Sequence, residues 1–267
     1  MAVENCKQKY IVNMNKMKTI FLGTLAFISL IMNSTAQTNY KQLKTLNNMF
    51  ETFDFKKFET EYGKYKGLDD NGSEDQYNFD DGMLVLASKP ELYVVSPKDF
   101  YVLYKEFYDN GNIMDKGKFF GYFGQKGLCS YTIKIGKWYY FDEKGKLTQE
   151  VDEDKKFGKF GYQDVLQFLS DKHEIDLKTG ENREKVHIEF YYAEDSSSPL
   201  KLWTIFVLKK SYPAPCPDDK EGDCIKQIGD HYYIDGNTGE GVPYKDLVKY
   251  KNIMPFFDLH YPDLKQD

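Results

Sequence analysis

The densest group of titratable residues in this chain is His173-Glu174 with Asp176. A histidine beside carboxylates can shuttle a proton in general acid–base catalysis. The same three residues also suit the end of a helix, where a protonated histidine favours the negative pole of the dipole. The stretch FGYQDVLQFLSDKHEIDLKTG reads that second way, with Gln163 or Asp164 opening the helix. His187, His231 and His260 fall in separate segments, outside metal-ligand spacing of one another. Adjacent carboxylates at Asp69-Asp70, Asp80-Asp81 and Asp218-Asp219 all sit in polar, loop-like stretches where solvation wins. The acidic loop from Asp69 to Asp75 meets a calcium-loop pattern only at Asp69 and Asn71, because Ser73 and Glu74 stand where Asp or Asn and then Gly belong. Zinc-protease, nucleophile-elbow, phosphate-loop and dinucleotide-binding patterns do not occur. The expectation is a non-enzyme: no catalytic residue, no metal ligand and no cofactor.

A second kind of chemistry is suggested by three related stretches: FYDNGN (107–112), YYFDEKGKL (139–147) and YYIDGNTGE (232–240). Each runs from aromatic residues through Asp to a turn containing Gly. Asp and Asn bond to their own turn, and Gly accepts positive φ, so the pattern follows from hairpin geometry. The aromatics before each turn pair across strands. Those left exposed can stack on a sugar or on a partner protein. Tyr108, Trp138 and Tyr139 are the candidate binding residues on that basis.

The elements that position these residues are mostly strands. Of 267 residues, 22 are Tyr, 20 Phe and 2 Trp, and Tyr and Phe favour half-buried sheet faces. A helix is expected through Leu43, Leu46, Met49, Phe50, Phe53 and Phe58 from their three- and four-residue steps. Alternating runs then predict strands at Met83 to Ser88, Glu91 to Val95, Tyr101 to Asp109, Lys185 to Tyr192 and Lys201 to Lys210, the last with Trp203, Ile205 and Val207 on one face. The predicted fold is α+β. A helix and acidic loop (37–82) precede an antiparallel β-hairpin or meander module (83–155). A helix-on-antiparallel-sheet module (156–250) follows, and then a tail (251–267) that packs by Phe256 and Phe257 or hangs loose.

The formal charge of −6 and the lack of clustered Lys and Arg argue against a nucleic-acid partner. Lys16-Met17-Lys18, the apolar run TIFLGTLAFISLIM and the small residues Ser34 and Ala36 compose a signal peptide within residues 1–36. Cleavage is expected between Ala36 and Gln37, with translation starting at Met1, Met14 or Met17. The apolar run is short of the roughly 20 residues of a span. A secreted or periplasmic protein that does not span the membrane after cleavage is therefore expected. In an oxidising compartment Cys216 and Cys224, flanking PDDKEGD, are expected to form a disulfide. Cys129 reads as a small buried apolar residue.

Two resemblances follow from these residues. The segment containing Tyr108, Asp109, Gly111, Gly136, Trp138, Tyr140, Asp142, Gly145 and Leu147 resembles the bacterial MORN-type repeat, over about residues 101–150. About residues 160–242, with a helix, an Ile-Asp-Leu exit, a strand with Trp203 and a closing Tyr-Tyr-Ile-Asp-Gly-Asn-Thr-Gly-Glu, look like a PepSY-like domain. The resemblances imply structural turns and no active site; PepSY-like domains occur in secreted and envelope proteins, and some are linked to protease regulation. The expected function is an exported module that binds another exported protein or an envelope component. The alternatives are a regulator or inhibitor of a protease or toxin, acting by strand addition at a sheet edge, and a hydrolase with an unfamiliar site.

Overall fold

The computed structural model describes residues 39–67, 75–120, 133–193, 199–215 and 223–260. The leader and its cleavage site, the acidic loop up to Glu74, Cys129, Cys216 and the side chain of Cys224 lie outside the described residues, as does the expected disulfide. By contacts the chain divides after Gln42. Of the first unit only Asn39 to Gln42 are described, where a 3-10 turn, Tyr40–Lys44, begins. The second unit runs from Leu43 to Asp267.

An eight-stranded antiparallel meander occupies its first half: β1 (Lys66–Gly67), β2 (Gln76–Asn78), β3 (Leu84–Ser88), β4 (Glu91–Val95), β5 (Val102–Phe107), β6 (Ile113–Phe120), β7 (Ile133–Phe141) and β8 (Leu147–Asp152), in sequence order across the sheet. A three-stranded antiparallel sheet follows, with β10 (Lys201–Pro215) between β9 (Val186–Tyr192) and β11 (Asp223–Asp235). Few helices accompany them. Alternation divides each strand between two faces. In the meander Val85, Leu92, Val94, Leu103, Phe107 and Ile113 turn to a buried inner face.

The helix expected from Leu43 to Phe58 is not continuous. Helix α1 covers only Phe55–Tyr62, capped by Asp54, whose carboxylate accepts from the Lys57 amide at 3.0 Å. Residues 49–53 are instead drawn out along the β5–β6 hairpin. Thr52 bridges Asn112, the Phe53 amide donates to Gly111 O (2.9 Å) and the Ile113 amide donates to Glu51 O (3.0 Å). Tertiary pairing has overridden the helical period. Behind this strap, Phe53 and Phe58 are buried against Phe107 and Tyr77.

The turn stretches prove to be fittings of the scaffold. The Asp142 carboxylate accepts from the amides of Lys144 and Lys146 (3.0 and 2.9 Å). Gly111 and Gly145 have φ of +82° and +83°, as such turns require. The two hairpin ends lie side by side: Asn112 Nδ2 donates to Glu143 O (2.7 Å) and the Tyr108 hydroxyl to Phe141 O (2.8 Å).

The Ile-Asp-x-x-Thr-Gly-Glu sequence occurs twice, at 175–181 and 234–240. Both copies fold alike. Asp176 Oδ1 accepts from Lys178 and Thr179 amides (2.7 and 3.1 Å), as Asp235 Oδ1 does from Asn237 and Thr238 (2.8 and 3.0 Å). Gly180 and Gly239 each close the turn by donating to the Asp carbonyl at 2.8 Å.

Helix α2 (Tyr162–Asp171) starts at Gly161, whose amide donates to Asp164 Oδ2 at 2.7 Å. Its Val165 and Leu169 pack on Val186, Ile188, Trp203, Ile205, Val207 and Ile234 of the second sheet. Phe120, Ile133 and Ile135 of the first sheet, and Phe100 of the loop before β5, enter the same core. Arg183 ties the halves together, donating to the carbonyls of Ser96 and of Asp99, the latter at 2.8 Å. At the C-terminal side, Leu247, Tyr250, Met254 and Phe257 cover Leu202, while Phe256 is exposed.

Candidate functional site

The face of the meander opposite the strap carries an unusual grid. Antiparallel register sets Glu91 opposite Glu106, Glu106 opposite Asp115 and Asp115 opposite Tyr140. Three carboxylates therefore stand in one row on three neighbouring strands. Like charges directly opposite one another destabilise a sheet, so the row is a departure from what folding alone would favour.

The next row is aromatic. Tyr93 faces Tyr104, which faces Gly117. The Trp138 indole fills the space that Gly117 leaves: a Cβ on Gly117 would come within 2.1 Å of the ring. Rings of Tyr93, Tyr104, Phe119, Trp138 and Tyr140 follow one another at centroid distances of 4.9 to 6.4 Å. Gly117→Ala is expected to eject Trp138, costing about 1–3 kcal/mol by overpacking. A red-shifted tryptophan emission and a lowered unfolding midpoint would show it.

Hydrogen bonds join the two rows. The Tyr104 hydroxyl lies 3.2 Å from Glu91 Oε1 and 2.9 Å from Glu106 Oε2, and the Tyr93 hydroxyl lies 3.2 Å from Glu91 Oε2. Tyr104 has one proton for two carboxylates. Burial, and then the Glu106 contact, push its pKa up. Asp115 is the least comfortable member. Its Oδ1 is buried with no hydrogen-bond partner among the described residues. Burial, with the charge of Glu106 next, raises its pKa from 3.8 to about 6, against the lowering effect of Lys134. Lys134 places its ammonium 3.9 Å from the Trp138 ring centre and 3.1 Å from the Tyr140 hydroxyl. The face thus already holds one ammonium of the chain's own, by cation–π attraction.

The sequence-derived candidates fall around this face differently. Trp138, expected to be exposed, is wholly buried, because Gly117 opens a slot for it and its Nε1 donates to Lys118 O at 3.3 Å. Tyr108 is half-buried and ties two hairpins. Tyr139 is half-buried and stands in register with Lys116 and Glu150. His173 takes φ +60° just beyond helix α2, where the Glu174 amide donates back to Leu169 O at 2.9 Å. Glu174 bonds Lys209 and the Tyr232 hydroxyl, and Asp176 serves its turn, so the three residues do not converge. His187 and His231 stand on either side of Phe206 on the central strand of their sheet.

Near them Glu189 accepts from the Tyr191 hydroxyl (2.6 Å) and the Thr204 hydroxyl (3.2 Å) and pairs with His187 (3.3 Å). His187 first, together with these hydroxyls, holds the Glu189 carboxyl down at about 2, against its burial. Each acceptor there has its donors, in contrast to Asp115.

Glu91, Tyr93, Tyr104, Glu106, Asp115 and Lys134 were not among the sequence-derived candidates. Their only signal is a shared spacing of two, Glu-x-Tyr, Tyr-x-Glu and Asp-x-Gly, in neighbouring strands. It becomes meaningful once register sets the acids opposite one another. Among the described residues no group of three or more His, Cys, Asp or Glu has a geometry suited to a metal ion. No helix among them is long and apolar enough to cross a membrane. No family model, no curated protein and no solved structure matches this chain.

Proposed function

We propose that this chain is an exported, non-enzymatic binding protein whose receptor surface is the carboxylate–aromatic face of the meander. Its partner is another exported protein or an envelope component that presents a cationic group, a lysine, an arginine or an amine. In this reading the hairpin pair is a MORN-like scaffold, and helix α2 with its sheet is a PepSY-like companion. The observation that carries the reading is the row Glu91, Glu106, Asp115, three like charges set opposite one another beside rings that already accept an ammonium. A bound cation would relieve the repulsion, and the rings would add cation–π attraction of about 0.5–2 kcal/mol.

Titration with a fluorescently labelled trilysine peptide tests this. Saturable binding is expected that falls with salt and weakens about tenfold in Glu106→Gln, the loss of roughly one charge-assisted contact. Equal binding by wild type and Glu106→Gln would remove the face from consideration.

One observation favours a second reading, that of a hydrolase. A carboxyl whose burial raises its pKa to about 6, set directly opposite a second carboxyl, Glu106, has the setting of a general acid in glycoside hydrolysis. Screening oligosaccharide hydrolysis separates the two: turnover abolished in Asp115→Asn favours this alternative.

A further inference from the structure

The opposite face of the meander holds a second unusual charge arrangement. Lys105 and Lys116 are each 1 % exposed, and a single carboxylate, Glu51 of the strap, serves both. Glu51 Oε2 lies 2.7 Å from Lys105 Nζ, and Glu51 Oε1 lies 2.7 Å from Lys116 Nζ. Lys116 also donates to Met49 O at 2.7 Å. Among the described residues Glu51 is the one hydrogen-bond acceptor for Lys105, whose ammonium has three protons to place. Two buried cations for one anion leave a surplus positive charge.

The strap is seated as a peptide would be in strand-addition recognition. Its backbone pairs with the β5–β6 hairpin through Phe53 and Ile113. Its carboxylate enters the lysine pair. Phe50 lies against Gly145, where a Cβ would come within 2.4 Å of the ring. Yet Met49 and Phe50 remain 65 % and 44 % exposed, so burial of these two side chains contributes little to holding the segment down. Phe53, buried against Phe107, anchors the C-terminal end of the strap, while the carboxylate and the backbone pairing hold the rest.

We propose that this groove is a receptor for an extended segment of a partner protein bearing a carboxylate between aromatic side chains, and that Met49 to Phe53 fill it in cis as a built-in competitor. The positive surplus selects acidic segments. The strap's own sequence, Met-Phe-Glu-Thr-Phe, shows the class of ligand that fits. The groove is on the face away from Glu91, Glu106 and Asp115, so the two surfaces can be tested independently.

The probe is a labelled synthetic peptide of residues 47–54, with a second peptide in which Gln replaces its Glu. Each is titrated onto the full chain carrying Glu51→Gln, whose own strap is weakened. The Glu peptide is expected to bind saturably, and the Gln peptide at least about tenfold more weakly, since a charge-assisted pair of bonds is lost. Wild type should bind the Glu peptide more weakly than the variant does, because its strap competes. A Thr52→Cys/Asn112→Cys chain, crosslinked across the bridge, should not bind it. Equal binding of the two peptides, no binding by the folded variant, or undiminished binding by the crosslinked chain would each overturn the proposal. If Glu51→Gln does not fold, amide exchange on the wild type decides. The Phe53 and Ile113 amides should exchange at least about tenfold faster than that of Leu103 through local opening, and equal rates would refute a detachable strap.

Discussion

Glu51→Ala is expected to lower stability by about 3 kcal/mol. The ground is the desolvation of two ammonium groups. Removing the only anion from a buried pair leaves uncompensated charge, at about 3–5 kcal/mol. The lower end applies because Glu51 is itself partly exposed, so water can reach the lysines once its carboxylate is gone. Lys105 already has its pKa lowered by burial, which outweighs the raising effect of Glu51. Without Glu51 that depression deepens. A lysine with a depressed folded pKa penalises the fold fully below that pKa, and the penalty fades as pH rises toward 10.5. The loss in Glu51→Ala should therefore shrink under alkaline conditions.

A companion variant sharpens the claim. Lys105→Met and Lys116→Met added to Glu51→Ala replace the whole triad with apolar side chains, and most of the lost stability should return. Urea midpoints of the three proteins check it. A silent Glu51→Ala would mean that the lysines find water or other acceptors at no cost, and the strap would lose its ionic anchor.

Strand positions were legible because alternation and Pro or Gly punctuation act locally. Glu91 to Val95 was expected as a strand and is one, and helix α2 opens at Tyr162, one or two residues before its expected start. What escaped was set by register, which joins residues far apart in the chain. Glu91, Glu106 and Asp115 are unremarkable surface acids until pairing lines them up. Glu51 reads as one more polar position of an amphipathic helix until Lys105 and Lys116, 54 and 65 residues away, claim it. Trp138 was misjudged for the same reason. Its slot is made by Gly117 on the neighbouring strand, and a glycine in a strand marks close approach only when its neighbour is known. The duplicated Ile-Asp-x-x-Thr-Gly-Glu turn, by contrast, was available to a search for internal repeats and needed no structure.

Asp115→Asn should make the protein more stable at neutral pH, the opposite of what replacing a buried, evolved polar residue usually does. The native carboxyl holds its proton to about pH 6, against 3.8 for an unperturbed aspartate. Between those values the folded chain binds more protons than the unfolded one, so stability falls as pH rises through that window and stays lowered above it. The full shift corresponds to about 3 kcal/mol, and partial solvent screening brings the expected effect to about 2 kcal/mol. Asparagine has the same shape and no charge, and its amide can donate toward the carboxylate side of the row. Wild type and variant should thus converge below about pH 4 and diverge by about 2 kcal/mol above pH 6, as read from urea midpoints across pH. The same substitution should weaken trilysine binding, because it removes one of the three charges that attract the peptide. Stability gained as binding is lost marks a residue kept for what it holds. If Asp115→Asn gained stability and left binding unchanged, the strain would be real but the face would not be the receptor. If stability did not change, neighbouring side chains would already neutralise the Asp115 charge.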